Sequence, residues 1–346
     1  MPTNECNRLN TVDICKGISV AIMITANFSR DALNPSDIYL FHRIFSSLSA
    51  PIFFFYAGYL TITKEKNLKL HIYRSIWLLA TAVFIDVLVW NIIPFNNFDV
   101  LYTISLSVFL IQAMNSLYRN HLAVALCIIV ASLLLFNFYH YRFQINEVPI
   151  INVFKEGHSF KFNNIFKRLI FDGWFPLFPW SAISFLGAYY KEKLEPNLDR
   201  LFSKNRHFGA LSIFLFILIY ISATRNTSHN LRDGYIEIFY PVDLFMFVFF
   251  VIWVIWLKLF VNIFERSLQF FSVLGRNTLF VYIVHSIISA FILSRLSDKL
   301  NYFEFLAFSV VMVILFKLIV SLLEYLRKAR FLMKSPYPVK KLTGLI

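Results

Sequence analysis

The chain has 346 residues, of which 58% are hydrophobic and 15% charged, with a mean hydropathy of +0.63. A soluble domain carries roughly 25% charged residues, and no polar stretch here is long enough for a separate soluble domain, so the bilayer must solvate much of the surface. The net charge of +13 does not point to nucleic acid, because Lys and Arg lie mainly in short loops between apolar segments, where they set topology and meet anionic lipid.

Three cysteines, Cys6, Cys15 and Cys127, are too few and too scattered for a disulfide framework or a zinc site, and no metal is expected. The N-terminus lacks a basic stretch followed by a small-residue cleavage site. The first apolar segment is therefore expected to remain in the mature protein.

Apolar runs of spanning length fall near 12–29, 44–63, 72–93, 100–118, 121–138, 174–190, 207–223, 239–258, 269–294 and 302–326. The expected fold is thus all-α and polytopic, with about ten transmembrane helices in a single membrane domain covering 1–346. An even number of spans puts both termini on one side. The loops on that side, with the 327–346 tail, hold the larger share of Lys and Arg, so both termini are expected in the cytoplasm. The opposite side carries the long 139–173 loop, a length usually functional or mobile. No internal repeat is visible, which counts against an inverted-repeat transporter.

Ionisable groups inside spans are costly, so each is a site hypothesis. In the first span Asp13, Lys16, Val20, Met23 and Asn27 recur at helical spacing on one face. Asp13 and Lys16 can pair at one end; Asn27 lies about 16 Å along the stripe from Lys16. Helix-to-helix hydrogen bonding with a snorkelling lysine explains the same pattern. The ninth span opens at Leu274-Gly275-Arg276-Asn277, and Thr278, Tyr282, His285 and Ser289 share a face. His285 has the chemistry of a proton carrier, a ligand or a satisfied structural donor. Asp86, Asp243, Lys317 and Glu324 are weaker candidates, and only Lys317 reads as deep. In the first outer loop His42 follows Asp31 and Asp37 and precedes Arg43. A histidine beside carboxylates can act as general base towards a hydroxyl or amine, with Asp31 or Asp37 orienting its ring; an ordinary interfacial histidine has the same spacing.

Four segments also resemble a known clan. Val12-Asp13-Ile14-Cys15-Lys16-Gly17-Ile18 resembles the first-helix signature of acyltransferase-3 membrane proteins, usually Leu-Asp-Gly-Leu-Arg-Gly-Ile. Ala50-Pro-Ile-Phe-Phe-Phe-Tyr-Ala-Gly58-Tyr is similar to their second-helix signature. Phe175-Pro-Leu-Phe-Pro-Trp180, running on to Gly187, looks like the related heparan-glucosaminide N-acetyltransferase group, and Leu274 to His285 resembles the late helix of both. The chain departs from acyltransferase-3 proteins, which place an arginine, ten residues and then a catalytic histidine in the first helix; Lys16 and Asn27 stand there. The heparan-glucosaminide group also has asparagine at the second position, so Asn27 carries over directly. That group draws its proposed histidine from the following loop, where this chain offers His42 without an exact alignment.

The resemblance implies a membrane acyltransferase, O- or N-acetyl, taking its acyl group from cytoplasmic acyl-CoA to an extracytoplasmic or lipid-linked sugar (a sugar or glycolipid acceptor); a bacterial inner membrane is the default location. Asp13, Lys16 and Arg276 would serve the donor's phosphates. Asn27 would donate to the thioester oxygen, His42 would act as base, and Asp37 and His285 would assist. Trp174, Trp180 and Arg43 would meet the acceptor, although tryptophans at such positions also anchor helices at the interface. A transporter or flippase of a lipid-linked or small polar solute and a non-catalytic family member are the competing readings. Oligomeric state is not legible.

Overall fold

The computed structural model describes the chain outside residues 1–2, 38–39, 63–67, 97, 118–119, 143–164, 167, 196–204, 225–230, 233–234, 237–243, 297 and 329–346. Most of the predicted 139–173 loop, Asp243 and the basic tail lie outside the described residues. Twelve helices account for nearly all of the rest: α1 Thr3–Ala32, α2 Leu40–Ser46, α3 Ser49–Thr61, α4 Leu68–Phe84, α5 Val100–Leu117, α6 His121–Arg142, α7 Leu177–Tyr189, α8 Asn205–Thr224, α9 Leu244–Leu268, α10 Ser272–Arg276, α11 Thr278–Phe291 and α12 Tyr302–Lys328. Strand pairing among the described residues is limited to one two-residue antiparallel ladder, Leu231–Arg232 with Tyr235–Ile236, and a single parallel bridge between Leu33 and Leu300.

Among the described residues six helical stretches are long and apolar enough to cross a bilayer: Asn10–Ala32, Ile44–Thr61, Lys69–Val89, Phe245–Arg276, Thr278–Arg295 and Tyr302–Leu326. Val100–Asn115, His121–Ser132 and Phe208–Ile221 are shorter apolar helices. The predicted 174–190 span starts as an irregular segment and becomes α7, which runs through a π turn to Leu194. A helix satisfies its own backbone without water, which is why an apolar chain adopts this form in lipid. The protein is an integral membrane protein.

The helices pack as two compact units, divided within α3. The first comprises 1–52, 202–241 and 246–346 and contains α1, α2, α8 and α9 to α12. At its centre α1 lies directly on α10. A Cβ at Gly17 would overlap the Phe271 carbonyl, and a Cβ at Gly275 would overlap the Asp13 carbonyl, so only glycine permits this backbone contact. The pairing of residue 13 with 275 and of 27 with 285 shows that α1 runs parallel to α10–α11. Phe28 meets Phe308 while Arg276 meets Glu324, so α12 runs antiparallel to both. Lipid takes the outer faces, where Phe216, Phe303, Val311 and Leu322 are exposed.

The second unit comprises 53–201 and 242–245. It repeats the device: a Cβ at Gly58 would overlap the Ser184 carbonyl, and one at Gly187 the Phe55 carbonyl. Around that contact Trp180, fully buried, lies 5.1 Å from the Phe54 ring and 5.0 Å from Phe175. Serines and glutamine tie the remaining helices: Ser105 donates to the Ser75 carbonyl at 2.7 Å and Gln112 to the Thr61 carbonyl at 2.7 Å. Such bonds hold membrane helices together where apolar burial gives no preference for protein over lipid.

Candidate functional site

The polar stripe of α1 meets partners along its length within the first unit. At one end Lys16 lies 3.9 Å from Asp13 and is 2% exposed. Beside it Arg276 grips Glu324 of α12 through two bonds of 3.1 Å, and Asn277 donates to the same carboxylate at 2.8 Å. Lys16 is thus enclosed with its counter-ion and does not present a free cation, whereas the Arg276 side chain is 41% exposed. Midway, Ser19 donates to the Ser49 carbonyl at 2.8 Å.

Towards the other end, Asn27 and Asp31 sit one turn apart on α1, facing His285 and Ser289 one turn apart on α11. Asn27 Nδ2 lies 2.7 Å from His285 Nε2, and Ser289 Oγ donates to Asp31 Oδ2 at 2.5 Å. His285 Nδ1 lies 3.1 Å from the Val281 carbonyl. A carbonyl oxygen only accepts, so Nδ1 carries the hydrogen and Nε2 receives one from Asn27. Lys299 donates to the Asp31 carbonyl. An amide nitrogen has two hydrogens, so Asn27, which is half-buried, keeps one N–H with no other partner among the described residues.

His42 lies on the short α2 and is 2% exposed. Its ring stands edge-on to Tyr302 at 6.1 Å and Phe305 at 5.6 Å, and Nε2 has no hydrogen-bond partner among the described residues. Burial in this aromatic seat pushes the imidazole pKa down to about 4, so it is neutral at physiological pH. Phe305 and Phe308 are one turn apart on α12, and Phe308 touches Phe28, whose own ring is 6.2 Å from His285. The two histidines therefore belong to one aromatic-walled end of the bundle.

Several expectations change. Among the described residues no bond joins Asp31 or Asp37 to His42: the Asp31 carboxylate accepts from Ser289, and Asp37 Oδ1 accepts from Ser36 at 3.3 Å in the turn Pro35–Asp37. The orienting groups are aromatic edges, because α2 faces the start of α12. His285 has both ring nitrogens engaged and is 1% exposed. Trp180, fully buried between Phe54 and Phe175, offers no face to an acceptor, since α7 packs too closely on α3. Trp174 in the same segment is half-buried. The Arg43 side chain lies outside the described residues. Lys317, read as deep, is half-buried and places its ammonium 5.4 Å from the Phe270 ring. No group of three or more His, Cys, Asp and Glu that could hold a metal ion occurs among the described residues.

Gly17, Gly58, Gly187 and Gly275 each lie in one of the four resembling segments, where sequence alone gives them no role. The structure pairs them, two in each unit. Glu324, among the weaker candidates by sequence, is the anchor of Arg276 and Asn277.

Residues 8–219, well over half of the chain, match the family described as heparan-alpha-glucosaminide N-acetyltransferase, catalytic. The matched stretch runs from the start of α1 into α8 and includes Asn27 and His42; His285 lies beyond it. No curated protein matches the chain. The chain belongs to the heparan-alpha-glucosaminide N-acetyltransferase catalytic-domain family.

Proposed function

We propose that the protein transfers an acetyl group from cytoplasmic acetyl-CoA to a hydroxyl or amine of an extracytoplasmic or lipid-linked sugar, in a bacterial inner membrane. The observation that carries this reading is Asn27: a half-buried amide on the first helix of an acetyltransferase-family chain, held by His285 at 2.7 Å with a second N–H to spare. Such a donor stabilises the oxyanion that forms when a thioester carbonyl is attacked, an effect of 10²–10³ in rate for comparable groups.

In the proposed reaction the acceptor oxygen or nitrogen bonds to the thioester carbon and its proton passes to His42 Nε2. The intermediate collapses with cleavage of the carbon–sulfur bond, and the departing thiolate of CoA takes up the proton. A neutral imidazole with an uncommitted lone pair is the correct form for a base. Arg276, bonded to Glu324 but 41% exposed, would meet the donor's phosphates on its outward side, and Asp13 and Lys16 support that end of α1 as an ion pair. Ten crossings with both termini in the cytoplasm agree with the parallel course of α1 and α11, which requires an even number of crossings from the first to the start of the second, and with α12 returning antiparallel.

One observation favours a second reading, a non-catalytic family member. His42 Nε2 is sealed behind Tyr302 and Phe305, so base chemistry requires that seat to open. Membranes carrying the wild-type chain, His42→Ala or no protein, supplied with radiolabelled acetyl-CoA, separate the two. Label entering glycan or glycolipid only with wild type supports the enzyme and its base. Equal label in wild type and His42→Ala, above the empty membrane, removes His42 from the mechanism. Equal label in all three supports the non-catalytic reading.

A further inference from the structure

Building on the acetyl-transfer reading, we infer that His285 is the positioning residue for Asn27, acting through its acceptor nitrogen and not by carrying a proton. Three features lock the ring. Nδ1–H is committed to the Val281 carbonyl one turn back on α11 at 3.1 Å, which leaves Nε2 as a bare acceptor. Asn27 Nδ2 approaches that acceptor at 2.7 Å; the amide oxygen, itself an acceptor, has no bond to make there. The ring plane is held by Tyr282, edge-on at 5.2 Å, and by Phe28 at 6.2 Å.

Each lock has a consequence for Asn27. A neutral Nδ1–H histidine forbids the flipped amide, so the second N–H of Asn27 keeps one direction. The Ser289–Asp31 bond one turn further along fixes the rotation of α11 against α1, and the Gly17 and Gly275 contact fixes their separation. With both nitrogens used and the ring 1% exposed, His285 has neither a free lone pair nor a water path through which to pass a proton. Preorganising a donor in this way matters because a displacement of about 1 Å can cost 10²-fold in rate.

The test compares His285→Gln with His285→Leu in the purified full-length chain. Glutamine keeps an acceptor oxygen within reach of Asn27; leucine fills similar space without one. We expect His285→Gln to keep kcat within about threefold of wild type, and His285→Leu to lose kcat by about 10- to 100-fold at unchanged KM for acetyl-CoA. In an Asn27→Ala background, His285→Leu should add little, as for two residues acting as one unit. Equal loss in the Gln and Leu variants would overturn positioning in favour of proton transfer; full activity in both would overturn any role. Nitrogen-15 NMR of histidine-labelled protein reads the clamp without activity, with the His285 signal assigned by its loss in His285→Gln. The Nδ1–H tautomer is expected, with Nε2 shifting in Asn27→Ala. A different tautomer, or no shift, overturns the clamp, whereas the expected spectrum without any acetyl transfer overturns only the reaction.

Discussion

The two units use one packing device for different ends. In each, two parallel helices meet through a glycine pair, and each glycine rests on the carbonyl one turn before its partner: Gly17 on Phe271 and Gly275 on Asp13, Gly58 on Ser184 and Gly187 on Phe55. In the second unit aromatic rings surround the contact. Phe54, Phe175 and Trp180 close it on one side, and Phe55 and Tyr190, 5.4 Å apart, on the other. In the first unit the same contact is continued by polar rungs, Asn27 with His285 and Asp31 with Ser289. Close backbone approach thus builds a structural joint in one unit and a polar seam in the other. What distinguishes them is the side chains one to three turns beyond the glycines.

Breaking the device should produce the largest effect. Gly17→Leu or Gly275→Leu forces a side chain into backbone, as do Gly58→Leu and Gly187→Leu. Overpacking costs typically 1–3 kcal/mol and occasionally more, and here the obstacle is main chain, so each variant should lose most folded protein in detergent, measured by size-exclusion yield and thermal melting. Equal tolerance of leucine in one unit would break the parallel between them.

The next largest effect belongs to the first unit alone. His42→Ala should reduce acetyl transfer per folded molecule by about 10²–10⁴, the range for loss of a general base. Its pH dependence sharpens the claim. The folded-state pKa of His42 is pushed down to about 4 from an ordinary 6.5, so the neutral form is favoured in the folded protein. The stability this contributes is fully present above about pH 6.5 and is lost as pH falls through about 4. The wild-type rate should therefore hold on acidification to about pH 5 and fall near pH 4. A His-dependent fall centred near pH 6.5 would show that the imidazole is solvated during turnover.

Smaller still is Trp180→Phe in the second unit. It trims a fully buried ring held by Phe54 and Phe175, and should lower the melting temperature while leaving KM for any sugar acceptor unchanged. A raised acceptor KM at an unchanged melting temperature would restore Trp180 as a sugar contact. Smallest is Glu324→Gln, which removes a half-exposed ion pair to Arg276; such pairs contribute about 0–1 kcal/mol.

Periodicity made much of this legible, and partnership did not. The spacing of Asp13, Lys16 and Asn27, and of Thr278, Tyr282, His285 and Ser289, put each set on one face, and all seven lie on helices. That the two faces meet depends on which helices pack, and in lipid that choice is made by glycine contacts whose partners lie over 250 residues away in the first unit. The four resembling segments each held one of those glycines, yet a glycine in a sequence carries no address. Trp180 shows the opposite failure. A tryptophan at the end of a loop suggests an interface, but the Gly58 and Gly187 contact draws α7 so close to α3 that the ring is covered. Likewise Asp31 and Asp37 precede His42 in sequence, while the short α2 turns the imidazole towards the aromatic start of α12.

The most direct test of the account is acetyl transfer by the purified chain in wild-type and Asn27→Ala forms, at matched melting temperature. Loss of about 100-fold in kcat, without a rise in KM for acetyl-CoA, is the predicted result and places the oxyanion donor on α1. Transfer at the wild-type rate by Asn27→Ala would contradict it and leave the α1–α11 seam a structural joint like its counterpart in the second unit.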